Sequence, residues 1–261
     1  MRHDRLRVRL ALFAAGTTFL LMAPHAHAVQ GVGLAWNHCQ GEVGAVQNAL
    51  FACDTNTGEH VIYGTFTLEP GMPDVAGVDL RLDLVSAGDA LPAWWQLRNS
   101  GTCRRTSMIS RIDPDPAATT CVDWTDGFSE FGASSLYCTS DIACGAGQPA
   151  NTARILIGVA MPAGSPVELA ASQPYFTFDL HFDHAKTVGA DACGGCSTPV
   201  CIAFAQATLT STTADHRFIT TPTIPGGNVV TWQGGVRGIP SCLAATPTRA
   251  STWGGVKALY R

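Results

Sequence analysis

Two runs of period-two alternation constrain the fold of this chain more than any other feature. In Val75–Val85, apolar side chains alternate with two aspartates and an arginine. In Tyr175–Asp183, phenylalanines and a leucine alternate with threonine, aspartate and histidine. Successive side chains of a β-strand point to opposite faces of the sheet, so each run predicts a strand with one buried face and one outward face.

The rest of the chain reads as short strands separated by turns. Charged residues make up only 14% of the sequence, whereas there are 27 glycines and 15 prolines. No stretch has the pattern of an amphipathic helix of three turns, and turn-forming residues separate the apolar runs. The sequence therefore predicts an all-β protein, a two-sheet antiparallel β-sandwich or jelly roll. Further strands are expected at Gly33–Asn37, Val61–Leu68, Ala153–Met161, Val200–Thr210 and Val229–Gln233.

The middle of the chain, about residues 98–151, has a different character. It holds four cysteines and the turn-forming sequence Asp113-Pro-Asp-Pro116, but few alternating runs. We expect a long disulfide-stapled loop excursion from the sandwich that carries one or two short strands. No low-complexity linker interrupts the chain, so residues 29–261 are expected to form a single domain.

The first 28 residues have the layout of a secretory signal peptide. Four arginines precede a short apolar core, Leu10–Met22, and an Ala-x-Ala cleavage site ends at Ala28. The apolar run is too short to span a bilayer comfortably. We therefore expect a secreted or periplasmic protein with no transmembrane segment after cleavage.

All ten cysteines follow the predicted cleavage site, which indicates folding in an oxidising compartment. Proximity in sequence favours the bridges Cys39–Cys53, Cys103–Cys121 and Cys138–Cys144. We expect the remaining cysteines to pair among themselves; these are Cys193, Cys196, Cys201 and Cys242.

The charge balance excludes one class of partner. The formal net charge is −4, and it becomes −7 once the four arginines and Asp4 of the leader are removed. An acidic chain with two lysines has no electrostatic footprint for nucleic acid or for an anionic membrane surface.

Two constellations have metal-ligand character. His181, His184, Cys193 and Cys196 are spaced like the ligands of a tetrahedral zinc site, although disulfides are the more natural state of the two cysteines. Asp54–Gly58 and Asp123–Gly127 cluster oxygen ligands in glycine-bearing loops, which leaves a structural calcium ion open beside the interpretation as hairpin turns. No other cofactor is expected.

Carboxylates and aromatic side chains supply the remaining candidates. Asp179 and Asp183 share the outward face of one predicted strand and are the acid/base candidates of a hydrolase; the solvated face of an antiparallel sheet is the commoner explanation. Trp94 and Trp95 are adjacent, so on a strand one of them points away from the core. That indole could stack on a sugar ring or, as the commoner alternative, pack under the excursion. Trp124 lies in the excursion and could complete the same groove.

Several segments resemble known proteins. The start Leu34-Ala-Trp-Asn-His-Cys39, the segment Cys-Gly-Gly-Cys-Ser-Thr-Pro-Val-Cys201 and the tail from Thr246 to Arg261 are similar to secreted bacterial β-sandwich proteins. That resemblance implies no activity. The strand pattern of Val75–Val85 and Tyr175–Thr210 resembles cohesin and carbohydrate-binding-module sandwiches, which implies a cohesin-like fold.

These observations predict a secreted, non-catalytic binding or surface-interaction module. Its ligand is expected to be a glycan or a cell-surface protein, held near Trp94, Trp95 and Trp124. No nucleophile elbow, zinc-protease helix or nucleotide-binding loop is present, which favours a protein without catalytic activity. The alternatives left open are an extracellular polysaccharide hydrolase and a structural component of the envelope or matrix.

Overall fold

The computed structural model describes residues 29–98, 101–115, 119–125, 132–139, 148–162, 164–213 and 215–235. These residues form thirteen strands and one 3₁₀ turn, Ala93–Trp95. The strands are β1 (Gly31–Trp36), β2 (Asn48–Ala49), β3 (Glu59–Thr67), β4 (Met72–Ser86), β5 (Met108–Arg111), β6 (Val122–Asp123), β7 (Gly132–Thr139), β8 (Thr152–Ala160), β9 (Val167–Leu169), β10 (Pro174–Asp183), β11 (Val200–Ser211), β12 (His216–Ile219) and β13 (Val229–Trp232).

The strands form two sheets, which confirms the predicted all-β sandwich. The five-stranded sheet has the order β1-β3-β10-β5, and β6 pairs with β10. The eight-stranded sheet has the order β2-β13-β11-β4-β8-β7, with β12 beside β11 and β9 beside β4. All pairings are antiparallel except those of β6 with β10 and of β2 with β13.

The two alternating runs lie at the centres of the two sheets, as β4 and β10, and supply much of the core. In β10 the alternation is interrupted by a register shift between Phe176 and Phe178. Phe178 packs inward against Phe204, whereas Phe176 joins a small cluster on the outer face. Gly64 makes room for Phe178, because a Cβ there would lie 2.2 Å from its ring. The prediction that Phe176 points inward is therefore wrong, and the bulge is the reason.

The predicted excursion contributes strands to both sheets. Its residues form β5 and β6 in the five-stranded sheet and β7 at one end of the eight-stranded sheet. β7 pairs with β8 in regular register from Gly132 to Thr139. This segment therefore extends the sandwich as well as covering part of it.

The three disulfides between described cysteines are long-range, and two of the predicted pairings are wrong. The bridges in the structure are Cys39–Cys121, Cys53–Cys196 and Cys103–Cys193, with sequence separations of 82, 143 and 90 residues. Strand pairing places residues together that lie far apart in the chain, so sequence proximity is a poor guide to pairing here. Cys193 and Cys196 consequently do not pair within the last four cysteines, as the sequence suggested.

Two further cysteines, Cys138 and Cys201, are disulfide-bonded. The predicted Cys138–Cys144 bridge involves a residue outside the described ranges, as does Cys242. The predicted signal peptide and the C-terminal tail also lie outside them. Among the described residues, no helix has the length and apolar character needed to cross a membrane.

Candidate functional site

Both predicted ligand-binding tryptophans of the Ala93–Trp95 turn are buried. Trp94 and Trp95 have no exposed surface, so the expectation that one indole faces outward is wrong. That expectation assumed a strand, but the pair lies in a 3₁₀ turn that directs both rings into the core. Trp94 stacks on Trp232 at 5.1 Å, and its indole N–H donates to Thr187 Oγ1.

These rings belong to a cluster at one end of the sandwich, which we call the aromatic end cluster. Its members are Trp36, Phe51, His60, Trp94, Trp95, Phe182, His184 and Trp232.

Trp124 is also buried, with 1% of its surface exposed. It lines a cavity of about 430 Å³ together with Tyr175, Glu168 and Asp123. A ligand-binding role for the three tryptophans stays a prediction, but none of the three rings forms an exposed platform for a sugar.

The hypothesis of a zinc site is not supported by the positions of its four residues. Cys193 and Cys196 form disulfides with Cys103 and Cys53, so neither offers a thiolate. Within the described ranges, Cys39, Glu42 and Cys121 are the one group of three metal-ligand side chains that lie within reach of a common ion. Cys39 and Cys121 are bonded to each other, which also disfavours that group.

His184 has partners within the aromatic end cluster. Its Nε2 lies 2.8 Å from Nδ1 of His60, its Nδ1 lies 2.8 Å from the carbonyl oxygen of Thr57, and its ring stacks on Phe51 at 3.9 Å. A neutral His184 that donates from Nδ1 to Thr57 accepts at Nε2 the proton of His60 Nδ1. Burial, with a smaller repulsion from His184, lowers the pKa of His60 to about 4. His60 is therefore uncharged at neutral pH.

The two predicted calcium loops have ordinary structural contacts. Asn56 Oδ1 accepts hydrogen bonds from the backbone N–H groups of Thr187 and Val188, which ties its loop to the loop after β10. Asp123 accepts from the backbone N–H and the hydroxyl of Thr125 in a local turn. Asp126 and Gly127 lie outside the described ranges, and a structural calcium ion stays a prediction.

Asp179 forms part of a buried charge cluster on the outer face of the five-stranded sheet. His181 lies between two carboxylates: its Nε2 is 3.1 Å from Asp179 Oδ1, and its Nδ1 is 3.0 Å from Glu59 Oε2. These are ion-pair distances without the near-linear geometry of hydrogen bonds. Asp179 is 1% exposed, and burial raises its pKa, although His181 and Arg111 oppose the shift.

Asp183, the other acid/base candidate, has a different environment. Its side chain accepts from the backbone N–H of Ala185 and lies 3.5 Å from the buried guanidinium of Arg104. Arg104 in turn donates to the carbonyl oxygen of Trp94 and lies over its ring at 3.6 Å. Asp179 and Asp183 are four residues apart on one strand, so their Cα atoms are about 13 Å apart. Glycosidase carboxyl groups are about 5–9.5 Å apart, and side chains that point the same way from Cα atoms about 13 Å apart are poorly placed for that separation.

The outer face of the eight-stranded sheet has the most accessible arrangement of polar and aromatic side chains. Residues paired across neighbouring antiparallel strands point to the same side of a sheet. Two rows therefore cross β12, β11, β4, β8 and β7 on this outer face. The first row is Phe218, Thr208, Asp79, Gly158 and Ser134; the second is His216, Thr210, Gly77, Ala160 and Gly132.

A groove of about 590 Å³ follows these rows. Its floor consists of glycine and alanine residues of β4, β8 and β7, and its polar groups are Asp79, Ser134 and Thr210. A second hollow of about 330 Å³ continues past Ser135 and Leu156. This size is typical of small-ligand sites.

Phe218 stands at one end of the first row with 61% of its surface exposed. His216 lies beside it at a ring distance of 6.3 Å, and His216 Nδ1 lies 3.1 Å from Thr210 Oγ1. An exposed phenyl ring beside hydroxyl groups and a carboxylate presents both an apolar stacking surface and hydrogen-bonding groups. We call the two rows and their groove the open face.

The sequence analysis identified part of this face and missed the rest. It assigned Asp79 to an outward position but attached no site to it. Gly158 interrupts the alternation of the predicted strand Ala153–Met161, and an isolated glycine in a strand is a sign of a bulge or a close approach. The short strand containing Phe218 had no alternation long enough to recognise.

Comparisons with known proteins give only weak structural similarities. No family model and no curated protein sequence matches the chain. A cohesin module from a family 33 glycoside hydrolase of Clostridium perfringens is similar at a TM-score of 0.35 and 8% identity, covering 75% of this chain and 98% of that module. A protein of Corynebacterium diphtheriae described as membrane-anchored is similar at a TM-score of 0.28 and 10% identity, covering 84% of this chain and 38% of that protein. The cohesin likeness noted in the strand pattern is thus seen at low similarity.

Proposed function

We propose that this protein is an exported, non-catalytic module that binds a glycan through the open face. The observation that carries the proposal is Phe218, a large aromatic side chain with 61% of its surface exposed on the edge strand β12, at one end of the first row of the open face. A phenyl ring exposed beside a histidine and hydroxyl groups offers a flat apolar surface on which a sugar ring can stack.

The polar groups of the open face fit a ligand rich in hydroxyl groups. Thr208 and Asp79 follow Phe218 across the sheet at the spacing of neighbouring strands, about 4.8 Å, and Ser134 lies two strands beyond Asp79, on the far side of Gly158. A sugar ring stacked on Phe218 would place its neighbours along this row, where carboxylate and hydroxyl oxygens could accept from its hydroxyl groups. The glycine and alanine floor keeps the groove open between them.

Export and folding in an oxidising compartment are part of the proposal. The basic and apolar pattern of residues 1–28 supports an export signal, and the three described disulfides support an oxidising location.

The test is a screen of oxidised protein, residues 29–261, against immobilised polysaccharides and whole cells, with bound protein and released sugar measured together. We expect saturable binding to a polysaccharide without sugar release, and a loss of about tenfold or more in affinity for Phe218→Ala. Release of sugar would overturn the non-catalytic role. Binding to cells that persists after the removal of surface glycans would identify a surface protein as the partner and would overturn the proposal of a glycan ligand.

A further inference from the structure

Gly158 lies at the centre of the open face, and its backbone gives no reason for a glycine. It lies in β8, in unbroken register with Asp79 on one side and Ser134 on the other. No bulge occurs in either pairing, and its φ lies outside the left-handed region that favours glycine. A glycine in the interior of a strand weakens the sheet, and one common reason for it is the close approach of a ligand.

The space above Gly158 is bordered by two polar side chains. A Cβ built on Gly158 would lie 3.2 Å from Asp79 Oδ1 and 3.4 Å from Ser134 Oγ, with no backbone atom within 4 Å among its nearest neighbours. A ligand group that rests against Gly158 is therefore bordered by a carboxylate on one side and by a hydroxyl on the other.

The charges on this face distinguish Asp79 from its neighbour on the same strand. Asp83 accepts from Arg154 Nε at 2.7 Å and lies 3.5 Å from Arg81 Nε. Asp79 is exposed and has no ion pair or hydrogen bond within the described part of the chain, and the same is true of the Ser134 hydroxyl. The open face therefore offers one carboxylate without a counter-ion, directly beside the space over Gly158.

From this arrangement we infer that the ligand is an amino sugar polymer whose protonated amine lies over Gly158 and donates to Asp79 and Ser134. This inference rests on the proposed glycan-binding function and names its substrate class. A protonated amine supplies both the positive charge that Asp79 lacks and donors for two acceptors. Repulsion from Asp79 disfavours an acidic sugar, and an N-acetylated amine carries no charge for Asp79 to pair with.

The experiment compares a hexasaccharide of glucosamine with the same hexasaccharide fully N-acetylated, by calorimetric titration of the oxidised chain. We expect the amine form to bind at least about tenfold more tightly, which corresponds to the loss of a charge-assisted hydrogen bond. Asp79→Asn should remove most of this preference. Gly158→Ala should weaken binding of the amine form, because its methyl group occupies the space between Asp79 and Ser134.

Matched variants control for unrelated effects. Asp89→Asn removes an exposed carboxylate outside the groove, and Gly194→Ala adds a methyl group where no atom lies within 4 Å. Both should bind like the unaltered chain. Thermal unfolding of all four variants shows whether each one is folded.

The outcomes separate this inference from the proposed function. Equal affinity for the two hexasaccharides, or an amine preference that survives Asp79→Asn, overturns the inference. If another polysaccharide binds in a manner that depends on Phe218, the proposed function stands, but the assignment of an amino sugar as the ligand is wrong. If no polysaccharide binds the folded chain, both fail.

Discussion

The outer faces of the two sheets are both built from strands of alternating sequence, but one face is covered by other parts of the chain and the other is open. On the five-stranded sheet the outward residues of β10 are covered, and Asp179 is 1% exposed beside His181 and Glu59. On the eight-stranded sheet the outward residues of β4 face a groove, and Asp79 is exposed without a partner in the described part of the chain. The five-stranded sheet carries the Cys39–Cys121 bridge and its small cluster with Tyr63 and Phe176 over this face.

This comparison shows what alternation can and cannot predict. Period-two alternation tells which side chains share a face of a strand, because that follows from backbone geometry. Whether a later segment of the chain covers that face depends on long-range pairing and disulfides. The outward carboxylate of the covered face, Asp179, is thus part of a buried structural cluster, whereas that of the open face, Asp79, is available for a ligand.

The largest expected effect on stability comes from the aromatic end cluster, which contains the candidate ligand residues Trp94 and Trp95. Trp94→Ala should destabilise the protein by about 3–5 kcal/mol, because it removes a fully buried indole and its hydrogen bond to Thr187. Urea unfolding measures the loss. At a temperature where the variant remains folded, glycan affinity should be unchanged; normal stability with abolished binding would instead return the site to Trp94.

Removal of the Cys39–Cys121 bridge, which lies over the outer face of the five-stranded sheet, should have the next largest effect on stability. The double variant Cys39→Ala with Cys121→Ala should lose about 2–4 kcal/mol, because a bridge that closes a long loop restricts the unfolded chain. Hydrogen exchange should increase at β3 and β10 in the native state and remain as before at β4 and β8. Equal increases in both sheets would contradict the view that this bridge holds a cover over one face.

The charges of the two faces should respond differently to truncation. His181→Ala leaves the buried carboxyl group of Asp179 without the imidazole that lies 3.1 Å from it and should cost about 2 kcal/mol of stability. Asp79→Asn should change stability by less than about 0.5 kcal/mol, because the carboxylate is exposed and has no described partner. Both values follow from urea unfolding of the two variants in parallel. A larger loss for Asp79→Asn than for His181→Ala would reverse the comparison.

The smallest effect is a pH dependence that belongs to the covered face. Because burial raises the pKa of Asp179 in the folded protein, the folded state binds its proton more tightly than the unfolded state. The corresponding stability is present at low pH and is lost as pH rises from about 4 through the raised pKa. Asp179→Asn should remove this step from a plot of unfolding free energy against pH, and Asp79→Asn should retain it. A step that is unchanged in Asp179→Asn would assign it to another group.

The predictable part of the molecule follows local rules. The alternation in Val75–Val85 and Tyr175–Asp183 was sufficient for β4, β10 and the sandwich class. The partners of Cys39 and Cys103 could not be predicted, since pairing over 82 and 90 residues depends on strand order. Burial of Trp94 and Trp95 depends on a 3₁₀ turn that no periodicity revealed. The open face could not be predicted, because it depends on the register of five strands. The sequence predicted only that Asp79 points outward.

The most direct test of the central claim measures polysaccharide binding by Phe218→Ala and Ile109→Ala in parallel. Both residues are exposed apolar side chains, at 61% and 53%, but Ile109 lies on the five-stranded sheet opposite His181. We predict that Phe218→Ala loses about tenfold or more in affinity and that Ile109→Ala binds like the unaltered chain. Equal losses, or a loss confined to Ile109→Ala, would contradict the assignment of the ligand to the open face.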